Sequence, residues 1–406
     1  MKINFDRLND RLQKLSEVGR TSEGGARRLA LTDEDKAGRD LVCGWMEELN
    51  LEVSIDKIGN IFGTLIGENR HTPIMMGSHI DTVGNGGHLD GCLGVLAGLE
   101  VIETYIDHKI VPKNDICVAI FTNEEGARFQ PDMMGSLVHA GGMALSTAYE
   151  ATSADGKKLK DELKRIGYLG ALECGVIKPK AFIELHIEQG PILEKENIQI
   201  GAVENVQGIS WTSLTIKGQA NHAGTTPMNM RIDAGYAASI LAVKVREITK
   251  EIGGVQVGTV GVITPKPNLI NVVPSEVKMT VDLRNVDEEK LKKSEQLFKA
   301  AIEEICDEEG VIIETEELAR FEPVKFDQDL VKIVMNTAKE MNLSVKRMNS
   351  GAGHDAQMMA RIGPAAMIFV PSKDGISHNP KEHTELDDLN AGAEVLLNVV
   401  QKLDSH

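Results

Sequence analysis

The sequence predicts an α/β protein with a doubly wound, largely parallel sheet, interrupted by an inserted domain of a different style. Three observations lead there. Short, mainly apolar runs, Pro73-Ile74-Met75-Met76, residues 116–121 and residues 181–187, read as buried strands and alternate with helical patterns. From Gly208 the pattern changes: strand 209–217, helix 233–250, strands 254–263 and 277–285, helix 287–308 and strand 310–316 give the order βαββαβ, a split ferredoxin-like unit. After Pro323 the α/β alternation resumes. The expected domains are 1–207 with 322–406, and 208–321 inserted between them.

Residues 4–18 and 33–49 read as amphipathic helices. Leu8, Leu12 and Leu15 share one face of the first, and Leu41, Trp45 and Leu49 one face of the second. Thr32 ahead of Glu34 and Asp35 is a capped helix start. Strands are expected at 51–55, 60–66 and 73–77. The glycine-rich loop 84–91 follows; it lacks the Lys of a phosphate-binding P-loop. The next helix, about 92–105, packs through Leu93, Leu96, Ala97 and Val101. Residues 145–170 are polar with helical patches. Toward the C-terminus come a helix at 328–341, a strand at 344–348, a helix from His354, a strand at 366–370 and a helix at 387–403.

The chain of 406 residues carries a net charge of -17, which argues against nucleic acid or an anionic membrane as partner, since both need clustered Lys and Arg. Its five cysteines, Cys43, Cys92, Cys117, Cys174 and Cys306, are scattered and form no CxxC pair, which fits reduced thiols in a cytoplasm. The N-terminus shows no apolar signal core, and no run approaches the roughly 18–20 apolar residues of a membrane span.

The chemistry lies at the strand ends. His79 and Asp81 follow one buried run, and Asp90 ends the glycine loop. Glu124 and Glu125 follow the strand at 116–121, His186 and Glu188 belong to the strand at 181–187 and its end, and His378 follows the strand at 366–370. Carboxylates buried together without a cation would repel one another. Two divalent cations with one bridging carboxylate would resolve this. Imidazole nitrogen and carboxylate oxygen suit Zn2+, with Mn2+ or Co2+ as alternatives. Two such ions about 3.5–4 Å apart form a hydrolytic template. Singly, each residue has a plainer explanation, because buried histidines mostly satisfy hydrogen bonds and a Glu-Glu pair is usually a solvated turn. Their joint placement at strand ends reverses that balance. No HExxH signature is present, so residue types alone lead only to a metal site.

Longer motifs go further. They are Gly77-Ser78-His79-Ile80-Asp81-Thr82, Asn85-Gly86-Gly87-His88-Leu89-Asp90-Gly91, residues 122–129 around Glu124-Glu125-Gly126, and Glu184-Leu185-His186-Ile187-Glu188-Gln189-Gly190-Pro191. To these add Asn221-His222-Ala223-Gly224-Thr225-Thr226-Pro227, Asn271-Val272-Val273-Pro274, Asp282-Leu283-Arg284, Ser350-Gly351-Ala352-Gly353-His354-Asp355-Ala356 and Ser377-His378-Asn379-Pro380. Together, in order from about residue 20 to the C-terminus, they resemble the hydantoinase/carbamoylase branch of the M20 dinuclear metallohydrolases. That branch includes N-carbamoyl-L-amino acid hydrolases, β-ureidopropionases and allantoate amidohydrolases.

The resemblance implies two divalent metal ions per subunit, Zn2+ first, with Mn2+, Co2+ or Ni2+ as alternatives. It implies that His79 and His186 hold one metal, that Glu125 and His378 hold the other, and that Asp90 bridges. Asp81 would orient the His79 imidazole from behind, and Glu124 would be the general base. The pattern around Ser377 places the ligand at His378, leaving His383 as a loop or surface residue. Residues 1–207 and 322–406 would form the catalytic domain, and 208–321 a lid and dimerisation domain. From the lid, His222 would stabilise the oxyanion in the partner subunit's active site, and Asn271 and Arg284 would bind the substrate carboxylate. Gln189 would contact the ureido group, and Gly353, with Gly351, would admit backbone close to the substrate.

The implied activity is that of a cytoplasmic homodimer cleaving an N-carbamoyl-L-amino acid to amino acid, carbon dioxide and ammonia. Allantoate amidohydrolase is the alternative. Trp211 resembles an aromatic of carbamoylase lids, where allantoate enzymes carry basic residues. An aminoacylase or dipeptidase ranks third, because peptidase relatives carry a carboxylate where His186 stands. From a different class, a metal-free binding protein of the same fold is opposed by the full ligand set.

Overall fold

The computed structural model describes residues 1–405, apart from the side chain of His71, and its largest feature is a nine-stranded sheet. In spatial order the strands are Glu52–Ile55, Ile61–Leu65, Asn114–Phe121, Asn69–His79, Ala181–Ile187, Ala365–Val370, Ile200–Val206 and Val324–Lys325, with Val345–Ser350 also paired to Ile200–Val206. The four middle strands, from Asn114–Phe121 to Ala365–Val370, run parallel. They are the apolar runs legible in the sequence, and they are buried almost throughout, as parallel strands covered on both faces must be. The outer pairings for which register is defined are antiparallel, so the sheet is mixed around a parallel centre. Ala365–Val370, late in the chain, sits between Ala181–Ile187 and Ile200–Val206.

The strand expected at 73–77 extends over Asn69–His79, with an irregular register between Asn69 and Ile74. Pro73 lies in that stretch and has no N–H for the ladder. Helices Cys92–Asp107 and Leu386–Ser405 pack against this strand and against each other. Thr32 caps Asp33–Glu48 by accepting the Asp35 N–H, as its position suggests.

Two buried arginines fasten the N-terminal segment. Arg39 donates to the Asp35 carboxylate (2.8 Å), the Gly59 carbonyl (2.7 Å) and the Thr122 hydroxyl (3.2 Å). Arg28 donates to the carbonyls of Ile80 (2.7 Å) and Val18 (2.8 Å). Arg39→Met would leave the Asp35 carboxylate buried beside an apolar chain and is expected to cost about 3–5 kcal/mol. A lower urea midpoint at unchanged slope would show it; an unchanged midpoint would mean that Asp35 finds water instead.

By contact the chain divides into Met1–Glu204 together with the segment from Phe326 onward, and Asn205–Lys325. The smaller unit is a four-stranded antiparallel sheet in the order Ile312–Phe321, Gly208–Lys217, Glu276–Asn285, Val257–Lys266. Helices Ala234–Ile252 and Glu288–Glu309 cover one face through Leu241, Val245, Phe298 and Ile305, against Leu214, Ile216, Met279 and Val281. Strand alternation sends Trp211, Asp282 and Arg284 to the other face. A two-residue ribbon pairs Asn221–His222 with Val272–Val273.

Candidate metal centre

The register that pairs Met76 with Ile183 brings His79 alongside His186 at the ends of two parallel strands, with ring centroids 6.3 Å apart. Asp90 reaches between them from the glycine loop. Its Oδ1 lies 3.5 Å from His79 Nε2 and 3.2 Å from His186 Nε2. Its Oδ2 lies 3.3 Å from His378 Nε2, which is 3.4 Å from Glu125 Oε2. One carboxylate thus faces two donor sets, His79–Asp90–His186 and Asp90–Glu125–His378, and within each set the donor atoms lie within 4.8 Å of one another.

The backbone is shaped for this approach. Gly91 has φ +65°, and a Cβ there would stand 2.4 Å from His79 Nε2. Asn123, Gln189 and His378 all adopt left-handed φ, a strained conformation that collects at functional sites.

Hydrogen bonds fix the imidazole tautomers. His79 Nδ1 donates to the Asp81 carbonyl (2.9 Å) and His186 Nδ1 to the Ile187 carbonyl (2.9 Å). Each Nε2 is therefore left without a proton; that of His79 turns its lone pair toward the Asp90 carboxylate, and that of His186 faces the same carboxylate while accepting the Gly91 N–H (3.1 Å), an arrangement that is repulsive unless a proton or a cation lies between. Burial opposes ionisation of Asp90, but with protons in those gaps the hydrogen bonds from His186, His378 and His79 win and hold it well below the usual carboxylate range. Burial pushes Glu124 well above that range. Burial, followed by the charge of Asp90, pushes Glu125 up to about 8. Imidazole lone pairs and crowded carboxylates converging on one small volume fit a divalent cation.

Glu124 stands beside this cluster, its Oε2 3.3 Å from His79 Nε2. Asp81 meets the His79 imidazole through its backbone carbonyl, not its side chain. Its carboxylate is 3.9 Å from His79 Nδ1 and instead accepts the N–H groups of Glu124 (3.2 Å) and Glu125 (3.3 Å). The chain turns after His79 so that the carbonyl meets the imidazole, and the Asp81 side chain is left to fasten the neighbouring strand end. Glu188 is not in the cluster; it accepts the N–H groups of Ile192 and Leu193 at the start of a short helix. His383 is also apart, 3.5 Å from Glu385. Gln189 Nε2 donates to Asp90 Oδ2 (2.7 Å), and its Oε1 is buried without a hydrogen-bond partner. Gly353 packs against Met133, whose Cε would lie 2.9 Å from an added Cβ.

Some members were not singled out from the sequence. Glu184 accepts the Ser78 hydroxyl (2.6 Å) and the Ala356 N–H (2.7 Å) beneath His186. The His354 ring lies 4.5 Å from that of His186 and bonds the Ser350 hydroxyl at 2.8 Å. Glu184, His186 and His354 form a third donor group, but both Glu184 oxygens are already engaged. A glutamate two residues from His186, on the same face of a wholly buried strand, was the available signal.

On the smaller unit, the Arg284 guanidinium donates to Asp282 (2.9 Å) and lies 5.8 Å from the Trp211 ring centre. His222 is exposed; its Nδ1 accepts the N–H groups of Gly224 (3.0 Å) and Thr225 (3.1 Å). Asn271 is joined to the same ribbon through its carbonyl, which accepts the Ala223 N–H.

Fold and donor set together are those of an α/β metalloenzyme. Residues 75–402 match peptidase family M20/M25/M40, and the chain belongs to that family. It is 43% identical over 400 residues to an N-carbamoyl-L-amino-acid amidohydrolase of Rhizobium meliloti, covering 98% of this chain and 96% of the relative. It is 36% identical over 401 residues to an allantoate amidohydrolase of Escherichia coli, covering 98% and 97%. A crystal structure of an amidase of the hydantoinase/carbamoylase family from Burkholderia multivorans superposes with TM-score 0.95 at 40% identity, covering 100% of this chain and 99% of that one. The family and the donor clusters make this a divalent-metal protein. Among the described residues, no helix is long and apolar enough to cross a membrane.

Proposed function

We propose that the protein is an amidohydrolase that cleaves an N-carbamoyl-L-amino acid to the amino acid, carbon dioxide and ammonia. The carrying observation is the double donor cluster sharing Asp90, with Glu124 at its side. Full-length similarity to an enzyme named for that substrate supports it. His79 and His186 would hold one ion, Glu125 and His378 a second, with Asp90 between them and Zn2+ as the first candidate. Bound ions would polarise the carbamoyl oxygen and lower the pKa of water toward neutrality.

The chain supplies the rest. Glu124, steadied by the bond from its N–H to Asp81, would take a proton from the attacking water and return it to the leaving nitrogen. The amide N–H that Gln189 gives to Asp90 fixes the orientation of the group, so its unpartnered Oε1 is an acceptor for a ureido N–H. Two backbone donors on His222 Nδ1 place the ring proton on Nε2, which makes it a donor for an oxyanion in the active site of the partner subunit. Homodimer formation is supported by the edge strand Val257–Lys266, which exposes Val257, Val262 and Ile263. The free cysteines suit a cytoplasmic setting.

Arg284, with Asn271, would receive the substrate carboxylate. Arg284→Ala is expected to raise KM about 10- to 100-fold, the worth of a hydrogen bond to a charged group, with kcat changed far less. An unchanged KM would remove Arg284 from the pocket. Arg284→Lys should recover only part of the loss, since it lacks the planar fork.

Allantoate is the second reading, supported by the Escherichia coli relative. The deciding experiment is ammonia release by the metal-loaded protein from N-carbamoyl-L-amino acids, their D-forms, N-carbamoyl-β-alanine, allantoate and N-acetyl-amino acids. Fastest turnover of an L-carbamoyl substrate supports the proposal. Fastest turnover of allantoate replaces it, and silence across the panel refutes the substrate class.

A further inference from the structure

Glu382 follows His378 by four residues and is 3% exposed. Its carboxylate is met by hydrogen-bond donors from two loops. Oε1 accepts the N–H groups of Leu89 (3.0 Å) and Asp90 (3.1 Å), and Oε2 accepts the Ser377 hydroxyl (3.0 Å). That hydroxyl also lies 3.2 Å from Asp90 Oδ2 and 3.3 Å from Gln189 Nε2. The glycine loop is built to admit the carboxylate: a Cβ on Gly87 would stand 2.0 Å from Glu382 Oε1 and 2.4 Å from its Cβ. So the loop that carries Asp90 and the loop that carries His378, 287 residues apart where Ser377 meets Asp90, are fastened to each other through one buried anion.

We propose that Glu382 is a positioning residue of the metal centre, setting Asp90 and His378 in mutual register; the inference rests on the metal reading above. The chemistry asks for an acceptor at Oε1 held at this reach. Two N–H groups converge there, while the Ser377 hydroxyl beside Oε2 has Asp90 Oδ2 as a second acceptor. With the Asp90 N–H held, the backbone from which its side chain springs is fixed, and Gln189 and Ser377, both at Oδ2, set the direction of the carboxylate. Alanine would release both loops. Aspartate keeps the charge but is one methylene too short to reach the Leu89 and Asp90 N–H groups from the His378 loop. Glutamine keeps Oε1 for both N–H groups, and the Ser377 hydroxyl can rotate toward Asp90.

The test compares wild type with Glu382→Ala, Glu382→Asp and Glu382→Gln. Zn2+ affinity is measured by competition with a chromogenic chelator, and Tm is measured in the metal-free and zinc-loaded forms. Glu382→Ala is expected to bind Zn2+ about 10- to 100-fold more weakly, the usual effect of losing a group that supports metal ligands. The rise in Tm on zinc loading should shrink with it, and Glu382→Gln should restore most of the affinity. If the alanine variant does not fold, the aspartate variant is read in the same way. Unchanged zinc affinity, with metal-free and loaded Tm falling by equal amounts, would show a merely structural anchor and overturn the proposal. Wild type that takes up no zinc would instead overturn the metal reading, and this inference with it.

Discussion

Glu124→Gln is expected to retain bound metal and to lose about 10²- to 10⁴-fold in kcat. Glutamine has the same shape, so the Glu124 side chain's neighbourhood is kept. The loop itself is held by backbone: the Glu124 N–H to Asp81, and the Glu124 carbonyl to the Met133 N–H at 2.7 Å. What the amide cannot do is accept a proton and give it back. Steady-state kinetics with metal analysis of the same sample separates the two effects. A variant within about tenfold of wild type would place the general base elsewhere, and loss of metal would show that Glu124 acts as a ligand.

Asp90→Asn is expected to have the largest effect on the metal centre itself. Asp90 is the one group common to both donor sets His79–Asp90–His186 and Asp90–Glu125–His378. Asparagine offers one neutral oxygen and one NH2, so whichever way it turns, an N–H group replaces a carboxylate oxygen before either His79 and His186 or His378. On the two-ion proposal, zinc content of the loaded protein should fall from two per subunit to one or none, with turnover falling to background. Glu125 would also lose the neighbouring charge that helps push it up to about 8, a secondary effect that does not restore the missing oxygen. Two ions retained at wild-type affinity would take Asp90 out of the bridging role.

The centre of the fold was legible because its strands are buried on both faces and read as apolar runs; the strand at 181–187 is an example, with His186 standing out against it. Ile200–Val206 was missed. Its Ile-Gly-Ala-Val-Glu-Asn-Val carries no clear period, and its pairing with Ala365–Val370 is long-range. Met134–His139 spans only 6 residues, too short for helical periodicity to show. The residues of the two donor sets were legible as motifs, but their supports were not. Ala356 is 172 residues from Glu184, and Leu89 is 293 from Glu382, distances that no local spacing reports. At Asp81 the residue was identified but not the atom, since whether carbonyl or carboxylate meets His79 depends on a backbone turn that residue type does not specify.

The place of Ala365–Val370 in the sheet has a consequence for how the protein is made. On the ribosome, Ala181–Ile187 emerges with one side paired to Asn69–His79 and its other side waiting for a strand not yet translated. At 5–20 residues per second, that edge stays open for roughly 10–40 s. During this interval Asn205–Lys325 is completed as a unit of its own. His378 follows the closing strand, so of the two donor sets only Asp90–Glu125–His378 must wait for it; His79, Asp90 and His186 have all emerged before. A chain stopped short of residue 365 would be no weaker enzyme; it would be a half-closed sheet with a bare apolar edge, material for aggregation or degradation.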